Sequence, residues 1–197
     1  MPGHLIVFEG LDQSGKQTQA ERLRDCLIAQ SRKVRLVSFP DYSTHIGGEI
    51  ERALAGDREY SADVMQLLYV ANRYEWRPSI EAWLADDWFV VSDRYLASSV
   101  AYGEAFGLDP VWLVTIQRYL PKPSLTIWLD IAPETAVGRK SADRDRYERD
   151  LALQRRVRES YRRQASDHAW LSLDGERSKD DVAADVFNAV TTRLAQP

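Results

Sequence analysis

The sequence predicts an α/β fold, a five-stranded parallel sheet with helices on both faces, in a single domain over residues 1–197. Three observations predict it. Short apolar runs alternate with segments of helical periodicity along the whole chain. The first of these runs feeds a glycine loop that ends in a lysine at the head of a helix. Finally, 197 residues, 44% of them hydrophobic and 28% charged, can bury the core of one ordinary domain and do not compose a disordered chain.

Taken in order, Leu5 to Phe8 is a buried strand, since all four residues are apolar. Residues 17–30 place Ala20, Leu23, Leu27 and Ile28 at helical spacing, and Val34 to Val37 is a second strand. A strand–helix–strand unit of this length makes the two strands parallel. Gly47-Gly48 reads as a break before a short helix from Glu49 to Ala55. Ser61 is a candidate N-cap for a helix reaching Leu84. Trp88 to Ser92 is the third strand, and it delivers Asp93-Arg94 to the sheet edge where open α/β folds bind ligands. Helices follow at 96–106 and 110–120, the second with Pro110 near its first position. Leu125 to Asp130 is the fourth strand. A helix over 133–139 leads into a charged segment, and a longer helix over 148–166 carries Leu151, Leu153, Val157 and Tyr161. Trp170 to Leu173 is the fifth strand. Ser178 caps a last helix with Val182, Val186, Val190 and Leu194 on one face.

Composition narrows the function classes. A net charge of −4 argues against a nucleic-acid polymer as partner. No run has the length of a membrane span or the pattern of a signal peptide, so a cytoplasmic protein away from membranes is expected. Cys26 stands alone, which excludes an intrachain disulfide, and its helical context predicts a small buried hydrophobe.

Four constellations carry chemistry. Gly10, Gly15 and Lys16 meet the G-x4-G-K spacing of a loop that cradles the phosphates of a nucleoside triphosphate. Backbone N–H groups, the helix N-terminus and the lysine supply the positive field. The alternative is a glycine turn with a surface lysine. The hydroxyl residue expected after the lysine is replaced by Gln17, with Thr18 one place later. Asp93-Arg94 pairs a carboxylate that can organise Mg2+ with a guanidinium that can grip phosphate, or else forms a surface ion pair. The run from Arg139 to Arg149 is either a solvated charged face or a lid, at about 139–148, that brings arginines onto a transferring phosphoryl group. Tyr69 and Arg73, at i and i+4, share a helix face that suits a nucleobase, or the core and a salt bridge.

The chain resembles the thymidylate kinase family of P-loop nucleoside-monophosphate kinases. The resemblance rests on six motifs in order: FEGLDQSGKQTQ at 8–19, FPDYST at 39–44, LLYVANRYE at 67–75, DRYLASSVAY at 93–102, LTIWLDIAPE at 125–134 and DRYERDLALQRRVRESY at 145–161. It implies a P-loop NTPase fold, phosphoryl transfer from ATP to dTMP giving ADP and dTDP for dTTP synthesis, Mg2+ as cofactor, and a homodimer. It also implies roles for residues. Gly10, Leu11, Asp12, Gln13, Ser14, Gly15, Lys16, Gln17 and Thr18 form the ATP site. Asp12, Phe39, Tyr42, Tyr69, Arg73, Arg94, Ser98, Ser99, Tyr102 and Glu148 surround dTMP, with Tyr69 on the base and Tyr102 against the ribose 2′ position. Asp93, Asp12 and Glu148 serve the metal. Lys16, Asp12, Arg94 and the lid arginines Arg139, Arg144 and Arg146 serve catalysis.

Three positions depart from the family pattern. Gln13 stands where some members carry a loop arginine, which shifts that role to the lid. Tyr42 stands where many place an arginine on the acceptor phosphate. Gln17 lacks the usual hydroxyl for Mg2+. Two further readings therefore stay open: another nucleotide or nucleoside kinase of this architecture, and a nucleotide-binding protein whose catalysis has decayed.

Overall fold

A computed structural model describes residues 3–139 and 150–194. In chain order the elements are β1 (His4–Glu9), α1 (Lys16–Ala29), β2 (Val34–Ser38), α2 (His45–Ala55), α3 (Ala62–Ala85), β3 (Phe89–Asp93), α4 (Leu96–Ala105), α5 (Pro110–Thr115), β4 (Leu125–Asp130), α6 (Pro133–Arg139), α7 (Leu151–Asp167), β5 (Leu171–Asp174) and α8 (Lys179–Leu194). The five strands form one sheet in the order β2-β3-β1-β4-β5, and every pairing is parallel.

The apolar runs are continuous because both sheet faces are covered. Ile6 and Phe8 of β1 pack with Ala20, Leu23 and Leu27 of α1 and with Val182, Val186 and Val190 of α8. Leu5 and Val7, pointing the other way, pack with Phe39, Ile80, Val90 and Tyr95. A third cluster joins Trp128 of β4 to α4 and α7 through Ala97, Ala101, Leu153, Val157 and Tyr161. The order sets β1 between β3 and β4, so the chain leaves β1 toward one side of the sheet and later returns to the other. The crevice at the strands' C-terminal edge opens at that switch point. Register aligns Phe8 with Asp93 and Glu9 with Trp128, which gathers Glu9, Asp93 and the loop after β1 at one place.

Four readings of the sequence change here. Cys26 is exposed, not buried. The buried stripe of α1 runs through Ala20, Leu23 and Leu27; Cys26 and Ile28 each lie about 100° around the helix from Leu27, and Ile28 is correspondingly 53% exposed. Gly47-Gly48 does not break α2 but sits inside its first turn, where Thr44 Oγ1 accepts from Gly47 N at 3.0 Å. A Cβ at Gly47 would overlap the Asp41 carbonyl oxygen, so the glycine serves close backbone approach. Helix α5 ends at Thr115; Gln117, Arg118 and Leu120 instead bond to carbonyls three residues back, ahead of Pro121. Helix α7 is described from Leu151, capped by Asp150, whose Oδ1 accepts from Leu153 N at 2.9 Å. Residues 140–149, and with them Arg144, Arg146, Glu148 and most of the expected lid, lie outside the described residues.

Candidate active site

The loop after β1 is held open by glycine geometry. Gly10 has φ +147°, and a Cβ there would stand 2.6 Å from the Leu129 carbonyl oxygen. Gly15, at φ +93°, is the N-cap of α1 and offers no side chain to its N–H groups. No acidic residue occupies the first turn either. The helix therefore presents unclaimed N–H groups and its positive end to the crevice, the usual seat of a phosphate. Lys16 is 5% exposed, and its Nζ donates to the Leu11 carbonyl at 2.6 Å and to Ser14 Oγ at 3.4 Å. Burial lowers the Lys16 ammonium to about 8, with the Arg94 charge pressing the same way and Asp93, Asp12 and Glu9 opposing.

A cavity opens over this loop, lined by residues 12–19 together with Asp93, Arg94, Arg139, Gly175, Arg177 and Lys179. Arg139 of α6 reaches it by donating to the Gln13 carbonyl at 3.1 Å and the Gly175 carbonyl at 2.9 Å. It is the one expected lid arginine among the described residues. Gln17 lines the cavity at an exposed position, with Nε2 donating to Glu21 Oε1 at 2.9 Å along the helix surface. Thr18 lines the cavity.

A second, smaller cavity lies beyond Asp12 and Arg94. Its lining brings together Phe39, Tyr42, Tyr69, Arg73, Ser98, Ser99 and Tyr102 from three separate stretches of chain. Helices α3 and α4 face each other across it. Arg73 is 3% exposed and donates from Nη1 to Ser99 Oγ at 2.7 Å, while its Nε is buried without a hydrogen-bond partner. Burial lowers its guanidinium to about 10. Among the described residues Arg73 forms no salt bridge. Its guanidinium lies 6.0 Å from the Phe39 ring centre. The loop carrying Phe39 and Tyr42 is fastened by Asn72, which accepts from Asp41 N at 2.8 Å and donates to its carbonyl at 3.2 Å.

Asp12 and Arg94 form the wall between the two cavities. Arg94 Nη2 donates to Asp12 Oδ1 at 2.5 Å, and the Tyr102 hydroxyl donates to Asp12 Oδ2 at 3.0 Å. Burial by itself would raise the Asp12 carboxyl. The charges of Arg94 and Lys16 and the hydrogen bonds from Arg94 and Tyr102 outweigh it and hold the group at about 2. Burial opposes the Arg94 charge, but Asp12 holds its guanidinium well above the ordinary value. Burial and the Asp12 charge push the Tyr102 phenol well up, which keeps it a donor. Arg94 carries a left-handed φ of +63°, uncommon for a side-chain-bearing residue, and its N–H donates to the Phe8 carbonyl at 2.9 Å.

Asp93 Oδ1 is buried with no hydrogen-bond partner, and the residue lines the cavity over the glycine loop. An anionic oxygen without a donor suits a hard cation or its water shell. No group of three or more His, Cys, Asp or Glu among the described residues could hold an ion alone. The donor set thus fits a Mg2+ that arrives with nucleotide phosphates and keeps several waters.

Two participants were not singled out from the sequence. Glu9 is 0% exposed at the tip of β1, beneath Ser98 and Tyr161. Its one sequence signal is a carboxylate ending an otherwise apolar run. Tyr161 reads as part of an apolar helix face, yet its hydroxyl accepts from Arg94 Nη1 at 3.2 Å.

Comparison with known proteins identifies the family. The sequence-family model described as Thymidylate kinase matches residues 8–186. The thymidylate kinase of Schizosaccharomyces pombe is 35% identical over 194 residues, covering 96% of this chain and 92% of the relative. That of Homo sapiens is 33% identical over 204 residues, covering 99% and 95%. Among solved structures, the thymidylate kinase of Candida albicans, described as having broad substrate specificity, superposes with a TM-score of 0.85 at 29% identity, over 98% of this chain and 93% of that one. The family model and the relatives match along nearly the whole length and lead to one conclusion: this chain belongs to the thymidylate kinase family.

Proposed function

We propose that the chain transfers the terminal phosphoryl group of ATP to the phosphate of dTMP, giving ADP and dTDP for dTTP synthesis. The observation that carries this reading is the pair of cavities that meet at Asp12 and Arg94. One is built for a polyphosphate, the other for a planar base and a sugar, and the wall between them bears the charge a shared phosphoryl group needs. ATP phosphates occupy the loop from Gly10 to Thr18, held by backbone N–H groups and Lys16. The acceptor occupies the second cavity, with Tyr69 and Phe39 against the base, Arg73 and Ser99 at its edge, Tyr102 at the ribose and Arg94 on its phosphate. Glu148 belongs to the same site by family likeness.

Such a reaction needs no general base, because the attacking acceptor oxygen is already anionic. What it needs is alignment of two anions and neutralisation of the charge spread over the transferring group. Lys16, Arg94 and Arg139 supply the positive charge, with Arg144 and Arg146 as further lid candidates. Asp12 orients Arg94 and, among the described residues, is the acid that lines the acceptor cavity. Asp93, Asp12 and Glu148 are the carboxylates that would hold Mg2+, which supplies charge neutralisation on the phosphates when bound. Two copies are expected to form a homodimer through helices between residues 45 and 120, a region that includes exposed Val111, Val114 and Tyr119. A cytoplasmic location belongs to the same reading; no described helix is long and apolar enough to cross a membrane.

A coupled ADP-release assay over dTMP, dUMP, dCMP and UMP, with thymidine as control, tests the function. Highest kcat/KM with dTMP is expected. Preference for another monophosphate would move the chain to a neighbouring kinase activity, and no turnover with any acceptor would favour a binding protein.

A further inference from the structure

We infer that Glu9, acting through Ser98 and Tyr161, is the positioning residue that fixes the Arg94 guanidinium for the acceptor phosphate. The inference rests on the reading of Arg94 given above. Glu9 ends β1, and its carboxylate receives four donors. Oε1 accepts from Tyr95 N at 2.9 Å and Ser98 N at 3.3 Å; Oε2 accepts from Ser98 Oγ at 2.7 Å and the Tyr161 hydroxyl at 3.2 Å. Both hydroxyls in turn accept from Arg94 Nη1, at 3.0 Å and 3.2 Å. Proton direction follows from the groups at the two ends. A guanidinium only donates and a carboxylate only accepts, so each hydroxyl spends its single proton on Glu9 and offers a lone pair to Arg94. The 2.9 Å contact between Ser98 Oγ and the Tyr161 hydroxyl is then left without a proton of its own. The four groups close a ring with one arrangement of protons.

The ring and the Asp12 pair divide the guanidinium between them. Nη2 is held by Asp12 and Nη1 by the two hydroxyls. Holding both terminal nitrogens fixes the plane as well as the place of the group, and a fork-shaped donor needs both to meet a phosphate. The partners come from β1, α4 and α7, so three packed elements resist rotation of a residue whose own backbone is in the left-handed region. Ser98, which also lines the second cavity, thus has a role in holding Arg94. Glu9 and Tyr161 touch no substrate and act through Arg94.

Tyr161→Phe is the central test, since Phe keeps the buried ring packing and deletes only the hydroxyl. Calorimetry with dTMP and with thymidine reads the effect. The variant is expected to weaken dTMP about tenfold, the scale of one hydrogen bond to a charged group, and to leave thymidine and ATP within about twofold of the wild type. Equal weakening of dTMP and thymidine, or no weakening of dTMP, would overturn the inference. Glu9→Gln is expected to do the same more strongly. Should it fail to fold, Ser98→Ala, expected to weaken dTMP selectively, replaces it. In an Arg94→Ala background Tyr161→Phe is expected to cost nothing further, and an additive loss would overturn action through Arg94. If wild-type dTMP itself fails to bind while another monophosphate does, the functional reading fails, and the same comparison of that monophosphate with its nucleoside still tests the ring.

Discussion

The two cavities are built by opposite means. The cavity proposed for phosphates centres on main chain, a glycine loop and a helix N-terminus without a side-chain cap, with Lys16 beside them and Asp93, Arg94, Arg139, Arg177 and Lys179 around the edge. The cavity proposed for the acceptor is mostly side chain, drawn from α2, α3, α4 and the loops after β1, β2 and β3, with Arg73 bonded to Ser99 and Arg94 and Tyr102 bonded to Asp12. A site made of backbone tolerates changes of its exposed side chains, so long as glycine geometry and the lysine survive. A site made of interlocked side chains transmits the loss of any member to its neighbours. This difference also gives sense to the departures from family pattern. Gln13 and Gln17 fall on the backbone-built side and are exposed. Tyr42 falls at the acceptor cavity's rim, 43% exposed.

The contrast can be broken at its strongest point with Lys16→Ala. Turnover is expected to fall about a thousandfold, as for a lost transition-state donor, in a steady-state assay. The melting temperature is expected to hold or rise, because a lysine whose ammonium is disfavoured by burial costs the unliganded fold stability. Near-normal turnover would remove the loop from the chemistry. Next in size is Arg94→Ala, expected to lower kcat/KM for dTMP about a hundredfold, through both terms, while KM for ATP changes less. Equal damage to both substrates would erase the distinction between the two sides.

A pH experiment follows. With Lys16 at about 8 in the free protein, the lysine is charged below that value and neutral above it. Bound phosphates favour the charged form, so binding takes up a proton above pH 8. Affinity for a non-hydrolysable ATP analogue is expected to be flat below pH 7 and to weaken by up to tenfold per unit above pH 8, by titration calorimetry. A flat profile to pH 9.5 would exclude the shift. The smallest effect is expected for Gln17→Thr. Because Gln17 is engaged with Glu21 on an exposed helix face, Mg2+ dependence is expected to stay within about twofold. A clear fall in the Mg2+ requirement would give position 17 a role in placing the metal.

Legibility in the sequence followed the same divide. The sheet was readable because β1, β3 and β4 are buried on both faces and so are written as unbroken apolar runs. The phosphate loop was readable because its residues are contiguous. What escaped depended on distant partners. Gly47 looks like a helix breaker until the Asp41 carbonyl is seen against it. Cys26 looks buried until the stripe of α1 is fixed by Leu23 and Leu27. Glu9 bonds to residues 86 to 152 positions away, a separation no local pattern records.

The wall shared by the cavities has a further consequence, for how the two substrates sense each other. Any ligand that draws Arg94 or Asp12 toward one side changes the field on the other. On the proposed reading occupancy of the two sites is expected to be linked, and any such linkage is reciprocal: whatever factor an ATP analogue applies to dTMP affinity, dTMP must return to the analogue. Binding isotherms measured in both orders are expected to close on one coupling constant. A molecule that spans the wall, carrying a phosphate chain at one end and a thymidine at the other, would report that constant directly as affinity beyond the product of its halves.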